Sequence, residues 1–141
     1  MAAMFEWPFK VNLGSGMDIK DGWYNVDVNF TDNVLSKYQN TVKADVLEYI
    51  MACPNDSICE IKAHHVLEHL VDLDLFMVEL HRACISCAKI DIVVPLANTL
   101  WDVANPDHKR RFNHRTFQYY TTDFTTSDLG LFRGYRITDQ K

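Results

Sequence analysis

The sequence predicts an α/β fold with a mostly parallel sheet, on three observations. Short runs rich in β-branched residues alternate with stretches of helical periodicity, the pattern that crossover units leave in a chain. The first run passes straight into a glycine-bracketed turn, Gly14-Ser15-Gly16, and the second stops on an acid, Asp27. The chain has 141 residues, 48% of them hydrophobic and 23% charged, which suits a single domain (1–141) able to bury a core.

Strands are expected at 10–13, 24–28, 42–46, 58–63 and 89–94. The clearest helix spans 66–83. There Leu67, Leu70, Val71, Phe76, Met77, Leu80 and Cys84 recur at threes, fours and close multiples, while Glu68, Asp72, Asp74 and Glu79 fall largely elsewhere. One face of such a helix packs on the sheet. A second helix is expected over 115–123, and "LFRGYRIT" at 131–138 reads as a final strand, antiparallel at or near a sheet edge. No internal repeat or linker breaks the pattern. In such sheets ligands bind outside the carboxyl ends of the strands. That rule nominates Gly14-Ser15-Gly16, Asp27, Asp45, His64-His65 and the loop after Pro95.

A formal net charge of −5 lacks the broad positive field that nucleic acid or an anionic membrane surface requires, so a small-molecule or protein partner fits better. No stretch approaches a membrane span, and Glu6 interrupts the apolar start, so a cytoplasmic protein is expected. Cys53, Cys59, Cys84 and Cys87 are then expected as reduced thiols; a structural zinc among them is the alternative.

Glycines at 14 and 16 let the backbone turn tightly and let a ligand lie against bare amides. An acid ending the next strand can accept both hydroxyls of a ribose, or it can cap a turn. A dinucleotide fingerprint is disfavoured, because its third glycine would fall at Ile19 and Asp27 arrives early. A P-loop is excluded, since no Gly-Lys-Ser/Thr follows the turn.

Six stretches then occur in a fixed order: "VNLGSG" (11–16), "GWYNVD" (22–27), "ADVLE" (44–48), "HHVLEHL" (64–70), "DIVVP" (91–95) and "HKRRF" (108–112). In these the chain resembles the class I S-adenosylmethionine-dependent methyltransferases, in their small type-11-like branch, over about residues 10–113. The resemblance implies a Rossmann-like three-layer sandwich with strand order 3-2-1-4-5 and a C-terminal edge strand. It also implies S-adenosyl-L-methionine as cofactor and methyl transfer by in-line displacement. By the same resemblance Gly14, Ser15 and Gly16 lie against the methionine portion of the cofactor, and Asp27, with Val28 beside it, takes the ribose hydroxyls. Asp45 and Val46 flank the adenine, and His64 and His65 border the sulfonium end. Two departures stand out: "HRACISCAK" before the fifth strand lacks the family's glycines, and at most one strand follows the fifth where members of the family have two. A sheet shortened at its C-terminal edge is the expectation, and such an edge invites a homodimer.

An acceptor that must lose a proton needs a base, and histidine suits that role near neutral pH. His65 and His108 are the candidates. His108, Lys109, Arg110 and Arg111 lie in a long loop able to meet an acidic group of the acceptor, or else to form a charged turn with Asp102 and Asp107. Two rival functions remain. His65-x-x-Glu68-His69 has the H-x-x-E-H spacing of a zinc hydrolase, with Glu79 too close on the same expected helix to serve readily as third ligand. A catalytically inactive cofactor-binding module that serves a protein partner is the other. For the methyl-transfer site itself no metal is expected.

Overall fold

Five parallel strands make the sheet of the computed structural model, which describes residues 7–113 and 115–120. They are β1 (Phe9–Leu13), β2 (Tyr24–Val26), β3 (Thr41–Val42), β4 (Ile58–His64) and β5 (Cys84–Val93), in the order β3-β2-β1-β4-β5. This is the order expected from the sequence. Val11, Asn12 and Leu13 are all buried, as a central parallel strand covered on both faces requires. The helices are α1 (Asp32–Lys37), α2 (Val46–Ala52), α3 (Leu73–Ala83) and α4 (Leu100–Ala104). Right-handed crossovers send α1 to one face and α2 and α3 to the other. The latter two pack against each other there.

The helix ends are set by side chains. Thr31 caps α1 through the Val34 amide, and Asp72 caps α3 through the Leu75 amide at 3.0 Å. Leu73, Phe76, Met77, Leu80 and Ala83 bury the inner face of α3. Arg82 reaches back to the carbonyls of Cys53 (2.8 Å) and Ile50 (3.1 Å) at the end of α2, where helix carbonyls lack a full set of intrahelical partners.

Several expected boundaries are corrected. The helix expected over 66–83 is two pieces: a 3₁₀ turn at Leu67–His69, an extended Leu70, then α3 from Leu73. Asp72 starts a new helix by claiming an amide. The periodicity ran through the break because Leu67 and Leu70 are buried from the loop, whereas Val71 is exposed. The strand expected over 42–46 is only Thr41–Val42, because the Asp45 carboxylate starts α2, and the strand expected over 24–28 stops at Val26.

The strand expected over 89–94 begins earlier, at Cys84. Between the pairs Ile58↔Cys84 and Glu60↔Lys89, β5 takes five residue steps against two on β4. Cys87 lies in that bulge at φ 65°, the left-handed conformation that glycine adopts most readily. The helix expected over 115–123 is a 3₁₀ turn at Thr116–Tyr120 as far as the described residues reach. The strand expected at 131–138 lies outside the described residues. No helix among the described residues is long and apolar enough to cross a membrane.

Candidate functional site

Strand order reverses between β1 and β4, so the crevice beyond their carboxyl ends is where this topology takes ligands. Leu13 pairs with Val26 on one side and with Ala63 on the other. Gly14, Asp27 and His64 therefore stand one residue past a common level. The register, set by core residues, delivers the turn and the acid to the same rim.

The turn after β1 has φ 60° at Gly14 and 52° at Gly16. A Cβ built at Gly14 would stand 2.5 Å from Val66 Cγ2, so the loop after β4 packs directly on bare backbone. At Gly16 a Cβ would meet nothing within 4 Å. One glycine closes the turn onto its neighbour, and the other leaves its outer side open. The Ser15 amide donates to the Val26 carbonyl at 3.1 Å, and the Gly16 amide donates to Asp27 Oδ2 at 2.9 Å. Asp27 Oδ1 accepts the Asn29 amide at 2.8 Å. The acid thus caps its own turn and also joins the glycine bend. An ionised carboxylate has about four lone-pair sites, so further acceptor capacity remains.

Beneath this rim lies a polar scaffold that reading for ligand contacts missed. Asn12 Nδ2 donates to Asn25 Oδ1 (3.0 Å) and to the Asp18 carbonyl (2.7 Å). Asn25 also accepts the Lys20 amide (2.9 Å) and donates to the carbonyls of Lys20 and Trp23 (3.1 Å each), which Asn40 bonds as well. Asn12 and Asn25 are almost wholly buried, so these bonds fix the path from Gly16 to β2. Lys62 pairs with Asp18, and its hydrogen bond holds that carboxyl below its ordinary range. The signal was present in the sequence: an asparagine stands in each of the two motifs that carry the glycine turn and the acid.

The other expected cofactor residues are placed as follows. Asp45 turns its carboxylate to the Leu47 (2.9 Å) and Glu48 (3.1 Å) amides as the cap of α2, and Val46 is half-buried against the core. Val28 is exposed beyond β2. His64 ends β4 with Nε2 at 2.9 Å from Asp91 Oδ2. His65 follows at φ 57°, its amide donating to the Val93 carbonyl (2.8 Å) and its largely exposed ring 3.6 Å from Glu68 Oε1.

The long loop after β5 folds back onto the 3₁₀ turn. The Glu68 carbonyl accepts the amides of Lys109 (2.7 Å) and Arg110 (3.1 Å), and Arg110 bonds the Leu70 and Val71 carbonyls. His69 and His108, distant in sequence, meet edge to face with ring centroids 4.9 Å apart. Lys109 pairs with Asp107 (2.9 Å), and Arg111 lies 3.7 Å from the buried Asp102. The basic residues of this loop are engaged by the protein itself. Hydrogen bonds from Lys109 and His69 hold Asp107 below the usual carboxylate range.

Glu68, expected on a helix face, is instead buried to 1% exposure, and its Oε2 has no hydrogen-bond partner among the described residues. Glu79, the awkward third ligand of the hydrolase reading, bonds Arg82 at 2.6 Å on α3. The two histidines of H-x-x-E-H also do not share an α-helical face, since the segment is a 3₁₀ turn. At the opposite pole burial pushes the Cys53 thiol up to about 11 and the Cys84 thiol up to about 12.

Among solved structures, this chain is similar to a SAM-dependent methyltransferase from Archaeoglobus fulgidus, with 23% identity and a TM-score of 0.56. The match covers 80% of this chain and 58% of that one, so the chain spans less than two thirds of that protein's length. The likeness shows a shared fold. No protein-family model matches the chain, and no curated protein does.

Proposed function

We propose that the chain is an S-adenosylmethionine-dependent methyltransferase domain acting on a small-molecule or protein acceptor. One observation carries the reading: the Asp27 carboxylate meets the Gly16 amide at the switch point of the sheet, beside a turn whose outer side is open. The residues fit the nucleoside. Gly14, Ser15 and Gly16 offer bare backbone to the methionine portion, and Asp27 has spare acceptor sites for the ribose hydroxyls. Asp45 and Val46 at the start of α2 border the adenine, with Val28 exposed on the neighbouring turn. His64 and His65 lie at the tip of β4 for the sulfonium end. Support also comes from the fold neighbour, itself described as a methyltransferase.

The bound cofactor supplies an activated methyl group for in-line displacement. What the protein must add is orientation, exclusion of water and, for a protonated acceptor, a base. His65 is open to solvent at the rim, and His108 keeps one ring nitrogen engaged by the Asp102 carbonyl at 2.8 Å. Either ring can take a proton through its other nitrogen.

Calorimetric titration with S-adenosylhomocysteine tests the reading. Binding is expected, and Asp27→Ala should weaken it by about 10- to 100-fold, the worth of charge-assisted hydrogen bonds. Failure of the folded protein to bind, or unchanged affinity in the variant, refutes it.

A further inference from the structure

We infer that Glu68, His69 and His108 form a binding site for a divalent transition-metal ion, best suited to Zn²⁺. One ligand atom from each of these residues lies within 4.8 Å of the others, the one such grouping of histidine, cysteine and acidic side chains among the described residues. His69 Nε2 stands 4.0 Å from Glu68 Oε1.

The second observation is the carboxylate itself. Glu68 is buried, and its Oε2 meets no donor among the described residues. A buried carboxylate oxygen without a partner is costly, because it has given up its water and gained nothing in exchange. A bound cation removes that cost.

The histidines are arranged as ligands are. His108 Nδ1 faces the Asp102 carbonyl at 2.8 Å, so it carries the proton and leaves Nε2 with a free lone pair. His69 Nδ1 faces Asp107 Oδ2 at 3.1 Å, which selects the same tautomer. An oxygen acceptor behind each imidazole is the outer-sphere pattern that fixes the tautomer and orientation of metal-binding histidines. The Glu68 carbonyl, by accepting the amides of Lys109 and Arg110, brings the His108 loop to the 3₁₀ turn that carries the other ligands.

Two imidazoles and a carboxylate are a donor set that zinc accepts with one position left for water. Zinc ligands about 2.0–2.2 Å from the ion stand about 3.5 Å apart, so the side chains need to close by about 1 Å. His69 and His108 are only half-buried, with freedom to do so. With His108 engaged by the metal, His65 is the base left at the rim.

Metal binding by these three side chains is independent of methyl transfer. Untagged protein is titrated with Zn²⁺ against a chromophoric chelator, and Co²⁺ is used as a spectroscopic substitute. One equivalent should bind, with Co²⁺ giving a visible spectrum free of thiolate charge transfer. His108→Ala and Glu68→Gln should each weaken binding by about tenfold or more. Circular dichroism checks folding, and should Glu68→Gln fail to fold, His108→Ala decides. No uptake, unchanged affinity in His108→Ala, or a thiolate spectrum from the cysteines overturns the proposal. Titration of His108→Ala with S-adenosylhomocysteine reports the nucleoside site separately.

Discussion

Alanine at Gly14 and at Gly16 should have very different consequences, although both glycines sit at positive φ in the same turn. At either position a Cβ in the left-handed conformation costs about 1–2 kcal/mol. At Gly16 nothing lies within 4 Å of the added atom, so the loss should stop there. At Gly14 the Cβ would lie 2.5 Å from Val66 Cγ2, more than 1 Å inside ordinary carbon contact at about 3.5–4.0 Å. Val66 is buried and β-branched, so it cannot swing away cheaply, and overpacking adds about 1–3 kcal/mol. Gly14→Ala should therefore lose about 2–5 kcal/mol in urea unfolding, against about 1–2 for Gly16→Ala. Combining Gly14→Ala with Val66→Ala should reveal a coupling of about 1–3 kcal/mol, because the methyl that clashes is gone. Equal losses for the two glycines, or additive behaviour in the double variant, would show that the packing of Val66 on this turn is wrong. Gly16→Ala should meanwhile impair S-adenosylhomocysteine binding well beyond its small effect on stability, since the added methyl fills the open side of the bend.

Asn25→Ala strands the Lys20 amide and one Asn12 donor, so a loss of about 2–5 kcal/mol is expected, whereas Asn40→Ala should lose about 1, because Asn25 still serves the same carbonyls. Chemical denaturation measures both. Cys87→Gly should stabilise the protein by about 0.5–1 kcal/mol, since an exposed side chain at φ 65° gives way to a residue free of that strain; a loss of stability would count against the bulge. Stability should fall as pH rises from about 9 towards 12, because the unfolded chain releases the Cys53 and Cys84 protons first, while burial keeps the folded thiols protonated to about 11 and about 12. Each thiol contributes a slope of up to about 1.4 kcal/mol per pH unit, and Cys84→Ala should flatten the upper part of that decline.

Local pattern by itself determined the parallel α/β class and the end of β1 at its glycine turn, because strand and helix periods and glycines that permit positive φ act within a few residues. Gly14, Gly16 and Asp27 were legible for that reason: the glycine turn and the acid each begin directly beyond a strand, and the register of Leu13 with Val26 brings them together. The break at Leu70 escaped the same logic, since Leu67 and Leu70 are buried whether they belong to a helix or to a loop. Only the tertiary structure decided that Glu68 is buried without a partner for Oε2 and that His108 returns to His69. Those facts depend on a long loop being pinned through the Glu68 carbonyl, and no periodicity encodes where a loop comes back to rest.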